Sequence, residues 1–229
     1  MLLEICANSY QSAKNAQDAG AQRIELCQEL SVGGTTPSYG LLKQVIENIH
    51  IPVFVLIRPR SGNFVYSDVE FEIIKKDIQI CKDLGCSGIV SGVLNSDNSI
   101  DIKRTKELIE FSKPLAFTFH RAFDELINPK KALEQLIDLG VGRVLTSGQQ
   151  KTAEAGLDLL KALYKIANNR ITILAGSGIN AQNAVKFKEA GLKEIHASAS
   201  ITMNLDGSLF GLQQTVSDIN TIKAILDAI

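Results

Sequence analysis

Ionisable and sulfur-bearing side chains recur in this chain two residues apart, at the ends of short apolar runs. Glu4 and Cys6 lie in LLEIC, Glu25 and Cys27 in RIELC, Thr118 and His120 in LAFTFH, and His196 and Ser198 in EIHAS; Arg58 closes PVFVLIR. An imidazole titrates near neutral pH, so His120 is a candidate general acid/base, oriented by Glu25 or Glu4, with His196 beside it. Arg58 and Arg60 flank Pro59 and could grip a carboxylate or phosphate in bidentate fashion, or tie the neighbouring loops together. Three later turns, TSGQ (146–149), AGSGI (175–179) and ASAS (197–200), offer Ser147, Gly148, Gly176, Ser177 and Gly178 as a backbone cradle for an anion. Cys6 and Cys27 sit in twin Glu-x-Cys phrases. Thiolates on neighbouring strands, about 4.8 Å apart, suit a soft ion such as Cu(I). An offset in height between the two strands would separate the sulfurs and leave ordinary buried cysteines.

These residue types need elements that aim them together. Eight β-like runs recur, at 2–6, 23–27, 52–58, 88–93, 115–120, 143–147, 171–176 and 194–198. Between them lie segments with helical spacing, of which 12–20, 71–85, 130–140 and 183–191 end in glycine, a common helix stop. Segment 156–167 reads as a further helix. Four copies of one phrase, helix then glycine then turn then strand, recur along the chain. Strand and helix alternate, which predicts a parallel sheet with crossover helices. Eight such units in 229 residues have the rhythm of an α/β, (β/α)8 TIM barrel forming a single domain over 1–229. The tail at 200–229 reads as a polar loop, NLDGS, and a closing helix. A doubly wound open sheet is the alternative, but the first turn, CANSYQS, lacks its glycine fingerprint.

Side chains of a strand alternate between faces. Ile5, Ile24, Leu26, Phe117, Phe119 and Ile195 take one face, toward the helices, so the polar set turns toward the lumen. Glu4, Glu25, Arg58, His120 and His196 then meet at the C-terminal mouth, where barrels keep their sites. Buried charges require partners; two carboxylates, a guanidinium and two imidazoles supply them. One inward histidine alone could be a hydrogen-bonded core residue; five polar groups from five strands point to a functional mouth. A divalent metal on Glu4, Glu25, His120 and His196 is a further option. Arg121 and Asp124 read as an ion pair or helix cap. The loops 31–40 and 57–68 are long enough to act as lids.

Composition narrows the class. The chain is 45% hydrophobic and 21% charged with net charge -1, so it lacks the basic footprint of a nucleic-acid binder. Its apolar runs are strand-sized, far below a membrane span. No basic n-region opens it, and four cysteines in a chain of this size do not form a secreted disulfide framework. The expectation is a cytoplasmic protein with reduced thiols, whose partners are a small-molecule anion or a copper ion, not nucleic acid and not a membrane. No lysine ends a strand, and no H-E-x-x-H or C-x-x-C occurs, which argues against Schiff-base chemistry and familiar zinc sites.

The phrases EIC, AQRIELC, GGTTPSYG, IRPRSGNFVYSD, TFHRAFD, RVLTSG, GSGI and IHASA, in that order over residues 2–200, resemble the CutC family of copper homeostasis proteins. The resemblance implies a TIM barrel, a cytoplasmic role in copper tolerance, homo-oligomeric assembly, and Cys6 and Cys27 as copper ligands. This chain departs from the family pattern at Arg60–Asn63 and at Gly176–Gly178, where it reads RSGN and GSG. A mouth so furnished also fits an alternative, a barrel enzyme acting on a small phosphorylated or carboxylated metabolite, with His120 as general acid/base and Arg58 as clamp.

Overall fold

Eight short runs rich in β-branched and aromatic residues form parallel strands: β1 (Leu2–Ala7), β2 (Arg23–Leu26), β3 (Val53–Leu56), β4 (Gly88–Ser91), β5 (Ala116–Phe119), β6 (Arg143–Thr146), β7 (Thr172–Gly176) and β8 (Glu194–Ala197). In this computed structural model, which describes residues 1–203 and 214–229, they pair in sequence order and β8 returns to β1. Helices cover the outside: α1 (Tyr10–Ala19), α2 (Tyr39–Asn48), α3 (Asp68–Leu84), α4 (Ile102–Ser112), α5 (Pro129–Asp138), α6 (Leu157–Ala167), α7 (Ala184–Glu189) and α8 (Ile219–Asp227). This is a (β/α)8 TIM barrel.

Local chemistry sets the helix ends. Ser9, Ser38, Ser67, Asp101, Asn128 and Asp218 cap α1, α2, α3, α4, α5 and α8 through their side-chain oxygens. Ser67 and Glu70 complete a reciprocal capping box. Gly85 ends α3 at φ 78°, a left-handed turn that glycine adopts without a Cβ penalty. The sequence signals for α2 and α4 were too weak to single them out. Gly40 near the start of α2 is a poor helix former, and the preceding residues read as turn. The tail holds α8 as expected, preceded by an antiparallel pair, β9 (Ser200–Met203) and β10 (Gln214–Ser217), that sequence reading missed. The NLDGS loop at 204–208 lies outside the described residues.

Two separate apolar sets record the parity of the strands. Leu3, Ile5, Ile24, Leu26, Val53, Val55, Phe117, Phe119, Ile195 and Ala197 pack with the helices. Cys6, Cys27, Phe54, Leu56 and Val90 form their own cluster on the lumen side. Every inward residue is therefore sealed from the outer core by one layer of backbone.

Candidate functional site

The lumen floor is ionic. Glu4 and Arg23 face each other in the β1–β2 register, and their side chains pair. Arg23 also meets Glu194 at 2.5 Å, and Arg143 meets Glu194 at 2.7 Å while donating to Thr118 Oγ1 at 3.2 Å. Both guanidiniums lie over the Phe54 ring, 5.0 and 5.1 Å from its centroid. Gly88 leaves room for that ring: a Cβ there would sit 2.3 Å from it. Sequence reasoning missed Arg23, Arg143 and Glu194. Their signal was present, because Arg23 precedes Glu25 by two and Glu194 precedes His196 by two.

Above the floor stand the predicted groups. His196 Nδ1 lies 2.8 Å from Glu4 Oε1 and 3.8 Å from Glu25 Oε2. Burial opposes the charged forms of Glu4 and His196. Hydrogen bonding with His196 and the Arg23 charge nonetheless hold Glu4 down at about 2. Hydrogen bonds to Cys6 and Glu4, with the Glu25 charge, lift His196 well above its ordinary value. Glu25 behaves differently. Its Oε2 has no hydrogen-bond partner among the described residues, and burial, aided by the Glu4 charge, pushes it up from 4.5 to about 7 against the pull of His196 and Arg23. Glu4, Glu25 and His196 bring ligand atoms within 4.8 Å of one another, but His120 is not part of that group. A divalent ion would have to displace Arg23 and deprotonate His196.

Cys6 and Cys27 converge on the same wall, Sγ to Sγ 3.5 Å, both buried and free. The register sets Cys6 opposite Glu25, so Cys27 is two positions further along its strand. The anticipated offset thus exists in register, yet the tilt of barrel strands brings out-of-register residues level. The Cys27 contact and burial raise the Cys6 thiol well above its usual value.

His120 directly follows β5 and caps the short 3-10 helix Arg121–Glu125, its Nδ1 accepting from Ala122 N–H at 3.2 Å. Burial and the Arg58 charge lower it to about 3, so the ring is neutral with its proton on Nε2. With Nδ1 committed to the Ala122 amide, His120 presents an Nε2–H donor at neutral pH. Gly92 makes room for this ring, since a Cβ there would come within 2.8 Å of Nδ1. Phe64, from the 57–68 loop, packs on His120 at 4.7 Å and under Arg58 at 5.0 Å.

Of the two arginines, neither stands free as a clamp. Arg58 donates to the carbonyls of Val32, Gly34 and Gly62 at 2.7–2.9 Å, tying the two long loops together. Only its Nε is left without a partner. Arg60 pairs with Glu70 at 2.5 Å and lies over Tyr66. The anion cradle divides likewise. Ser147 N–H and Oγ are held by Asp124, itself paired with Arg121, and Gly148 N–H donates to Thr146 Oγ1. Gly176 serves packing, since a Cβ there would lie 2.6 Å from Leu145 and 3.2 Å from His196 Cβ. Ser177 and Gly178 do line the mouth, with Cys6, Glu25, Arg58, His120, Arg121 and His196, around a cavity of about 220 Å³.

An ionic floor below a small, largely apolar cavity with a few polar groups at the C-terminal ends of the strands makes this a (β/α)8 barrel with its pocket where such barrels keep their sites. The comparisons with known proteins narrow that class. A sequence profile of the CutC family matches residues 1–201, and the chain belongs to that family. A CutC family protein of Proteus mirabilis is 52% identical over 197 residues, covering 86% of this chain and 78% of that protein. One from Bacteroides fragilis is 44% identical and covers 100% of this chain and 96% of its own. Among solved structures, the protein named CutC, for copper homeostasis, from Streptococcus agalactiae superposes with a TM-score of 0.82 at 38% identity, over 86% of this chain and 98% of that one.

Proposed function

We propose that this chain acts in copper homeostasis by binding Cu(I) through the Cys6 and Cys27 thiolates. The observation that carries the reading is the sulfur pair itself, two free thiols 3.5 Å apart on the lumen wall, with Cys6 opening into the mouth cavity. The donor set fits a soft monovalent ion, because thiolates select Cu(I) over hard cations. Taking the roughly 2.3 Å of a metal–thiolate bond, sulfurs 3.5 Å apart subtend about 100° at the metal, a bent arrangement that leaves room for a third donor. His196 is the neighbour placed to supply one, once the metal displaces its proton. Copper here is cargo, and Cys6 as the sulfur on the cavity wall is its point of exchange. A reduced cytoplasmic setting, with the chain working as a homo-oligomer, accords with this reading.

Both thiols must lose protons to bind, and Cys6 holds its proton tightly. Affinity for Cu(I) therefore rises with pH, by up to about 100-fold per unit when two protons are released. An anaerobic titration against a competing Cu(I) chelator, run on the wild type and on Cys6→Ser/Cys27→Ser, tests the assignment. One tight site in the wild type and none in the double variant is expected. Equal affinity in both proteins would reject it.

A further inference from the structure

Three polar atoms near the mouth have no hydrogen-bond partner among the described residues: Glu25 Oε2, Arg58 Nε and His120 Nε2. All three side chains line the cavity, and their residues are only 4–6% exposed. A buried polar group without a partner costs about 1–3 kcal/mol, so three around one cavity mark a place where a ligand supplies what the protein lacks. The chemistry of the three is specific. His120 Nε2 carries the proton because Nδ1 accepts from Ala122, so both His120 and Arg58 offer N–H donors. Glu25 offers a carboxyl that accepts, and donates when protonated. A hydroxyl or carbonyl oxygen satisfies such a set.

The loop after β7 on the cavity wall offers donors of another kind. The backbone N–H groups of Gly178 and Ile179 donate to nothing among the described residues, and both residues line the cavity. Ser177 is held at φ 92°, a conformation costly for a residue with a Cβ. Ala153 N–H donates to its carbonyl, and its Oγ donates to Lys151 O, so the strained turn is fixed in place. The Arg121 guanidinium, 45% exposed, also lines the cavity. Fixed backbone donors and a nearby guanidinium suit a phosphate group.

We propose that the mouth cavity binds a small phosphorylated metabolite, its phosphate on Gly178, Ile179 and Arg121 and an adjacent hydroxyl or carbonyl on His120, Arg58 and Glu25. At about 220 Å³ the cavity is smaller than drug-sized sites of roughly 300–1,000 Å³, which limits the ligand to a few carbons. No thiol takes part in this site, but Cys6 lines the same cavity, so the ligand is titrated with copper withheld to keep the two readings distinguishable.

Calorimetric titration of the full chain with glycerol 3-phosphate and with inorganic phosphate, in the presence of a copper chelator, tests it. The wild type binds glycerol 3-phosphate more tightly than phosphate. His120→Phe and Arg121→Ala each weaken it by about tenfold or more. His120→Gln, which keeps an N–H donor, recovers part of the loss. Arg170→Ala, which removes an exposed guanidinium paired with Glu134, changes nothing. No binding by the wild type, equal weakening by Arg170→Ala, or a loss confined to Arg121→Ala overturns the proposal. The exposed Arg121 change leaves the core intact, and unchanged binding in that variant also overturns the proposal, whether or not the His120 variants fold.

Discussion

Glu25→Gln isolates the energetic cost of the lumen carboxyl. In the folded chain burial and the Glu4 charge raise Glu25 from 4.5 to about 7. A carboxyl whose folded pKa is raised gives full stability below about pH 4.5 and loses it as pH rises through 7. A shift of about 2.5 units at about 1.36 kcal/mol per unit amounts to roughly 3 kcal/mol. Glutamine fills nearly the same volume and carries no charge. Glu4 remains to hold His196 protonated in the variant. Urea unfolding of both proteins from pH 4.5 to 8 measures the difference. The variant is expected to gain on the wild type as pH rises, by about 3 kcal/mol in total, with most of the change between pH 5 and 7. A pH-independent difference would refute the reasoning, because Glu25 would then ionise alike in folded and unfolded chains.

Further predictions concern the floor and the second imidazole. Arg23→Met strips a guanidinium from Glu4 and Glu194 and should cost about 3–5 kcal/mol in urea unfolding, as for other broken buried pairs; a loss under 1 kcal/mol would show the floor is not ionic. Nitrogen-15 NMR of the ring nitrogens should find His120 neutral, with its proton on Nε2, throughout pH 5–8, since its pKa is lowered to about 3. The same spectra should show His196 titrating above the ordinary imidazole range, and a His120 titration near 6.5 would contradict its burial beside Arg58.

Parity made the inward set legible. Glu4, Cys6, Glu25, Cys27, His120 and His196 all follow from the i, i+2 rule once the helix-facing residues are identified, and the separate lumen cluster matches that division. The floor could have been read in the same way, because Arg23 and Glu194 obey the same rule; attention to strand ends alone hid them. Partner choice was not legible. Arg58 read equally as an anion clamp or as a tie between the loops, because sequence shows its charge, not the path of the loops that place the Val32, Gly34 and Gly62 carbonyls around it. The role of His120 turned on one backbone amide, Ala122 N–H, which fixes its tautomer. In the same way, Ser147 and Gly148 are committed by Asp124 and Thr146, contacts that depend on how β5 and β6 end side by side.

The most direct measurement of the thiol assignment is X-ray absorption at the copper edge on the full chain loaded anaerobically with one equivalent of Cu(I). Two sulfur neighbours at about 2.3 Å, both lost in Cys6→Ser/Cys27→Ser, are the expected result. Copper surrounded only by nitrogen and oxygen, or an unchanged spectrum in the double variant, would contradict the account.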